Sequence, residues 1–185
     1  MKDDVLLAET WVSIGRSLEF RGLDLENAID CYNCAMSLYS LQLNDEEIKK
    51  EIARTIHLIG TAKFRLRQYD DAFLQLKEAL HRKISCFGED HAEISLTLHY
   101  LGLNFSRQHK TDEARQCLVK AIEIQERLGN NDEESTIRMK RNLAEFYAST
   151  GLLKESLSLL KKGVLEPFDL STSHKQLRLV KDAVK

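Results

Sequence analysis

One offset governs this chain. Gly60 in TIHLIG is followed 42 residues later by Gly102 in TLHYLG, and after the same step again by Ala144 in KRNLA. Ala72, Ala114 and Ser156 keep that step, as do Leu76, Leu118 and Leu160, and Ala79, Ala121 and Gly163. Each column preserves side-chain size, small with small and leucine with leucine, and size is what a close-packed contact selects. A fixed period of this length marks a stack of repeated units rather than one globular core. The first 44 residues carry the pattern with one residue inserted in the turn RGLDL: Trp11, Ile14, Gly15 and Leu18, then Ala28, Tyr32 and Ala35.

Within each copy the apolar residues fall at helical spacing, as Ile52, Ile56, Ile59 and Phe64, or Ile94, Leu98, Leu101 and Phe105, so each copy is read as amphipathic helices. One proline and eight glycines in 185 residues are too few for a loop-rich or many-turned β fold. Asn44, with Glu47 three residues on, suits a capping box, and Asp90 and Asn131 or Asp132 stand at equivalent starts. Gly88 and Gly129 stand where helices stop. Gly60, Ala72 and Ala79 remove bulk where two antiparallel helices cross, and Leu76 and Ile59 fill the space beside them. A helical pair leaves one face uncovered, so pairs must stack, with the first helix of each on the concave side. The expectation is one domain over 1–185 with repeats at about 4–40, 45–85, 91–128 and 132–164. Residues 173–185, with Leu177, Val180 and Val184 as a stripe, are expected to form a capping helix or a truncated fifth repeat.

Composition removes several function classes. With 27 Lys+Arg against 29 Asp+Glu there is no basic stripe of the kind nucleic-acid binders carry. No apolar run approaches the roughly 18 residues of a membrane span, and MKDDVLLAETW is acidic where a signal peptide is basic. The expected address is cytoplasmic. Cys31 and Cys34 form a CxxC without the second pair that zinc needs, and Cys86 and Cys117 are isolated, so all four are expected to be reduced and mostly buried. No G-x-S-x-G, H-E-x-x-H or glycine-rich phosphate loop occurs, so no catalytic residues and no enzyme are expected. His57 and His99 share a column, but two imidazoles without thiolates or carboxylates make no metal site, and no cofactor is implied.

The columns Trp11, Ile14, Gly15, Leu18, Ala28, Tyr32 and Ala35 resemble the tetratricopeptide repeat signature. The 42-residue spacing and FGEDHAEISLTLHYLGLNFSRQHKTDEARQCLVKAIEI resemble the longer-helix subgroup typified by kinesin light chains, over about residues 5 to 165. Departures are Ala92, where the proline after GEDH is usual, and His99 and Tyr100, where consecutive asparagines are; Asn142 keeps the matching place in the last copy. The resemblance implies an all-α, right-handed α-α superhelix (a solenoid) of four helical hairpins plus a C-terminal capping helix. It also implies a protein partner, held as by an adaptor or scaffold.

Residues offset from the apolar columns on each first helix are expected to face the groove. They are Glu9, Val12 and Arg16; Arg54, His57 and Thr61; Leu96, His99 and Leu103; and Arg138, Arg141, Asn142 and Glu145. Arg54, Arg138 and Arg141 suit carboxylates, Asn142 suits a peptide amide, and Leu96 and Leu103 suit one apolar side chain. An extended acidic peptide with one apolar anchor is the expected ligand. Two alternatives stay open. One is a structural or oligomerisation scaffold using the convex face or the ends. The other is a co-chaperone-like receptor for C-terminal peptides, whose clamp, by resemblance, falls at Val12, Arg16, Leu58, Leu96 and Tyr100, or one repeat on at His57, Thr61, Tyr100, Arg138 and Asn142, and is only partly present.

Overall fold

The structure is a computed structural model that describes residues 2–20, 24–42, 44–130 and 134–163. The expected terminal helix at 173–185 lies outside the described residues. These form α1 (Lys2–Phe20), α2 (Leu25–Tyr39), α3 (Glu46–Arg65), α4 (Tyr69–Phe87), α5 (Ala92–Arg107), α6 (Thr111–Arg127), α7 (Glu134–Ser149) and α8 (Leu153–Gly163), with a single 3-10 turn at Ser40–Gln42 and no strand among them. Each odd helix packs on the even helix that follows it, and α2, α4 and α6 pack in turn on α3, α5 and α7. The first helices α3, α5 and α7 touch one another directly, making the row that lines the concave side of an all-α superhelix.

The 42-residue columns mark the crossing point of each pair. A Cβ on Gly60 would meet Leu76 Cγ at 2.8 Å and one on Gly102 would meet Leu118 Cγ at 2.7 Å, so glycine is required for the helices to approach. Ala72, Leu76, Ala79, Ala114, Leu118 and Ala121 close the same contacts and are buried. The fourth pair is looser. Ala144 replaces the glycine, and Ser156 Oγ donates to the Ala144 carbonyl at 2.8 Å. The apolar interior falls into one cluster around Tyr32, Tyr39, Ile52 and Ile59 and a second around Leu118, Met139, Leu143 and Phe146.

Helix ends depart from the sequence reading by one residue. Asp45, not Asn44, caps α3, its Oδ1 accepting from the Glu47 N–H at 2.8 Å. The Glu47 carboxylate pairs with Lys50 at 2.6 Å instead of reaching back, so no reciprocal box forms. His91, not Asp90, caps α5: its backbone is extended (φ −134°, ψ 146°), and Nδ1 accepts from the Glu93 N–H at 3.2 Å. Asp90 is left to pair with Arg127 at 2.6 Å. Asn131 and Asp132 lie outside the described residues.

The period also reaches the backbone. Arg67, His109 and Gly151 stand 42 residues apart at the end of α3, α5 and α7, with φ of 62°, 59° and 82°. At each, the following residue donates back to the helix, Gln68 to Lys63 at 3.0 Å, Lys110 to Phe105 at 3.0 Å and Leu152 to Tyr147 at 2.8 Å, the left-handed closure of a helix C-terminus. At Arg67 and His109 that conformation costs about 1–2 kcal/mol each. All four cysteines are free, but only Cys31 is buried; Cys34 is exposed and Cys86 and Cys117 are half-buried. The buried stripe of α2 runs through Ala28, Cys31, Tyr32, Ala35 and Tyr39, and position 34 falls outside it, which corrects the expectation of mostly buried thiols.

Candidate functional site

The groove floor divides where α3 meets α5 and where α5 meets α7. In the first part, Glu93, in the opening turn of α5, accepts from Arg54 Nε at 3.1 Å and from Lys83 Nζ at 2.7 Å. Arg54 is also paired with Glu51 and lies over the Phe87 ring at 5.2 Å. Lys83 is wholly buried. Burial depresses its pKa more than Glu93 restores it. For Glu93 burial acts to raise the pKa, but Lys83 and Arg54 outweigh it and hold the carboxyl below its ordinary range.

Thr97 Oγ1 donates to the Glu93 carbonyl at 3.0 Å and stands 3.2 Å from His57 Nδ1. Tyr100 meets the rings of His57 and His99 edge-on at 5.6 and 5.5 Å, and His99 Nε2 lies 3.0 Å from Asn142 Nδ2. Burial, then the charges of Lys83 and Arg16, push His57 well below its ordinary pKa. Burial and Arg138 bring His99 down to about 4. Both imidazoles are therefore neutral at pH 7 and act as fixed hydrogen-bonding groups. No group of three or more metal-ligating side chains gathers among the described residues.

The second part is open. A cleft of about 270 Å³ is lined by Phe64 of α3, by Leu103 and Arg107 of α5, and by Asn142, Glu145 and Phe146 of α7, with serines at its edge. Every lining side chain comes from a first helix. Arg138 is exposed and Arg141 half-buried, and neither has a carboxylate partner among the described residues. Arg141 Nε is itself buried without a hydrogen-bond partner.

The structure thus separates the residues that the sequence grouped. Leu103, Asn142 and Glu145 meet in the cleft, whereas Arg138 and Arg141 lie on α7 but are not among the residues that line it. Leu96 packs instead against the second core cluster. Arg54 is held by Glu51 and Glu93. His57, Thr61, His99 and Val12 are buried, and Thr61 Oγ1 is tied to the Leu58 carbonyl at 2.9 Å. Glu9 and Arg16 are exposed on α1. Sequence reading missed Lys83, Phe64 and Arg107. For Lys83 a signal existed, because Tyr39, Lys83 and Gln125 hold one place in successive second helices and all three are fully buried.

A sequence model of the tetratricopeptide repeat matches residues 51–127. That stretch, from α3 to α6, is therefore tetratricopeptide repeat sequence. Solved structures carry the same fold across nearly all of it. The kinesin light chain TPR-like repeats from Podosopora anserina (a putative kinesin light chain) superpose with a TM-score of 0.72 at 18% identity, covering 89% of this chain and 76% of that one. BtubC (BKLC) from P. vanneervenii gives a TM-score of 0.63 at 18% identity, covering 99% and 84%. The apo form of RapI gives 0.71 at 17% identity, covering 87% of this chain and 42% of that one. No curated protein matches in sequence. Tetratricopeptide solenoids are in general protein–protein interaction modules and typically not enzymes. Among the described residues no helix is long and apolar enough to cross a membrane.

Proposed function

We propose that this tetratricopeptide solenoid binds an extended, acidic peptide segment of a partner protein in the groove between α5 and α7, as a cytoplasmic adaptor or scaffold without enzymatic activity. The observation that carries the reading is the cleft of about 270 Å³ formed only by first helices, beside arginines that no carboxylate of the described chain occupies. Phe64, Leu103 and Phe146 take one apolar side chain of the peptide. Arg138 and Arg141, one turn apart, take carboxylates by charge-assisted hydrogen bonds, with Arg107 at the far end of the cleft. Asn142 spends its amide N–H on His99, which leaves its oxygen to accept from a peptide N–H. The buried anchor supplies most of the affinity, and the arginines set association rate and discrimination.

The test is fluorescence polarisation with acidic peptides carrying one internal leucine or phenylalanine. Arg138→Glu/Arg141→Glu is expected to weaken binding by at least about tenfold, each lost charge-assisted bond being worth roughly 1.5–3 kcal/mol, with an unchanged melting temperature. Leu103→Asp is expected to erase the preference for an apolar anchor. Equal binding of neutral peptides, or binding untouched by both variants, overturns the proposal.

A further inference from the structure

Glu145 is out of keeping with a cleft for acids. It continues the column of Thr61 and Leu103, and it lines the cleft beside Phe146 while remaining exposed. Glu51 of α3 and Glu93 of α5 are spent within the chain, Glu51 on Arg54, and Glu93 on Arg54 at 3.1 Å and Lys83 at 2.7 Å. By contrast, no cation of the described residues comes within ion-pair distance of Glu145. On its own helix Arg141 stands one turn away and Arg138 two turns, yet neither pairs with it, and Lys140 is turned to Glu126 at 3.1 Å. Arg107 lines the same cleft from α5, also without a carboxylate partner, and borders two further clefts at the helix turns. An uncompensated carboxylate on the cleft wall repels a ligand that is acidic throughout.

Resting on the peptide-groove reading above, we propose that Glu145 sets the specificity of that groove by selecting a lysine or arginine beside the apolar anchor. The ligand is then a mixed-charge segment, acidic toward Arg138 and Arg141 and basic at the anchor. Arg138, Arg141, Asn142 and Glu145 recur at the three- and four-residue steps that keep side chains on one helix face. At 1.5 Å per residue Glu145 lies about 10 Å along the axis from Arg138, a span that an extended chain covers in about three residues. Leu103 and Phe146 hold the anchor at the Glu145 end of that stripe, so the base adjoins the anchor and the acid stands about three residues from the base. A long cationic side chain suits the place through its stem as well, which covers the apolar rim while its head stays in water beside Glu145. Because Glu145 is exposed, the pair contributes discrimination rather than most of the affinity.

The test is fluorescence polarisation on the full chain with three acidic peptides that share one leucine and differ only in the residue beside it: lysine, glutamine or glutamate. The wild type is expected to bind the lysine peptide about three- to fivefold more tightly than the glutamine peptide, the scale of an exposed ion pair, and the glutamate peptide more weakly again. Glu145→Gln is expected to abolish this ranking and Glu145→Lys to reverse it, both with an unchanged melting temperature. Should Glu145→Lys disturb the fold, Glu145→Gln decides. In Arg107→Gln the ranking is expected to persist, which separates a carboxylate that faces the ligand from one that Arg107 neutralises. Equal binding of the three peptides by the wild type, while Arg138→Glu/Arg141→Glu still weakens them all, overturns this inference and leaves the groove reading standing. A ranking that survives Glu145→Gln, or that emerges only in Arg107→Gln, overturns it as well. Failure of all three peptides to bind overturns both.

Discussion

The two parts of the concave floor spend their polar residues in opposite ways. Between α3 and α5, Arg54, Lys83 and Glu93 neutralise one another, and His57 is tied to Thr97. Little is left for a ligand there. Between α5 and α7 the side chains surround a cleft, and Arg138 and Arg141 find no acid among the described residues. The same repeat therefore yields a self-satisfied joint in one place and an unsatisfied one in the next. Position alone on a first helix does not decide which; the second helix does, by whether it sends a charge such as Lys83 into the joint.

Removing that charge gives the largest expected effect on the fold. Lys83→Met leaves Glu93, which is about one-fifth exposed (22% for its side chain), with Arg54 alone, and is expected to cost roughly 3 kcal/mol, the low end for breaking a buried pair. Glu93→Gln with Lys83→Met should cost less than the two single changes summed, as a double-mutant cycle in urea reads. On the open side, Arg141→Met is expected to change stability by no more than about 0.5 kcal/mol. Similar costs for Lys83→Met and Arg141→Met would erase the contrast.

Acid gives the next effect. His99 has a folded pKa of about 4 against an ordinary 6.5, so between those values the unfolded chain binds a proton that the folded chain refuses. Stability is full above pH 6.5 and falls as pH drops toward 4, by up to about 3 kcal/mol at 1.36 kcal/mol per pKa unit. His57, also depressed, adds in the same direction. Glu93 loses its contribution only below the ordinary carboxylate range, so the loss at pH 6.5–4.5 belongs to the histidines. Thermal melts of wild type and His99→Gln across that window should converge as pH falls.

A smaller effect separates the tight crossings from the loose one. Gly102→Ala forces a Cβ to 2.7 Å from Leu118 Cγ. Overpacking costs about 1–3 kcal/mol, partly offset by about 1 kcal/mol of helix propensity, so a net loss of about 1 kcal/mol is expected in chemical denaturation. Ala144→Gly in α7 already had room for the Cβ and is expected to lose only the propensity, less than or about 1 kcal/mol. A gain in stability on Gly102→Ala would show that the α5–α6 crossing is not limited by that glycine.

The helical pairs were legible because their contacts select size, and size repeats: Gly60, Gly102 and Ala144, and Leu76, Leu118 and Leu160, announce the crossings that the structure contains. The left-handed closures at Arg67 and His109 were not, because two of the three positions carry no glycine and the conformation is imposed by the turn. The groove was half legible. Helical offset correctly puts His57, His99, Leu103 and Asn142 on first helices, but offset measures direction and not depth. Whether a side chain reaches the groove or is roofed over depends on Tyr100 and Lys83, which approach from neighbouring helices. The capping errors at Asn44 and Asp90 have a similar origin: adjacent residues compete for one backbone N–H, and the winner is set by the entering chain.

Salt offers the finest separation of the two parts. Raising ionic strength from 0.1 to 1 M shortens the screening length from about 10 to about 3 Å. The Lys83–Glu93 contact, 2.7 Å long with the lysine wholly buried, is shorter than either length and shielded from ions, so its share of stability is expected to move by less than about 0.5 kcal/mol, a size typical of changes away from such features. Arg138 lies exposed and Arg141 half-buried, so their attraction for an acidic peptide is carried through solvent and is expected to weaken severalfold over the same range. Melting curves and peptide titrations on one set of samples read both. Peptide affinity that ignores salt while Arg138→Glu/Arg141→Glu also leaves it intact would move the binding surface away from α7. A melting temperature that falls steeply with salt would mean that ions reach Lys83, and that the joint between α3 and α5 opens in solution.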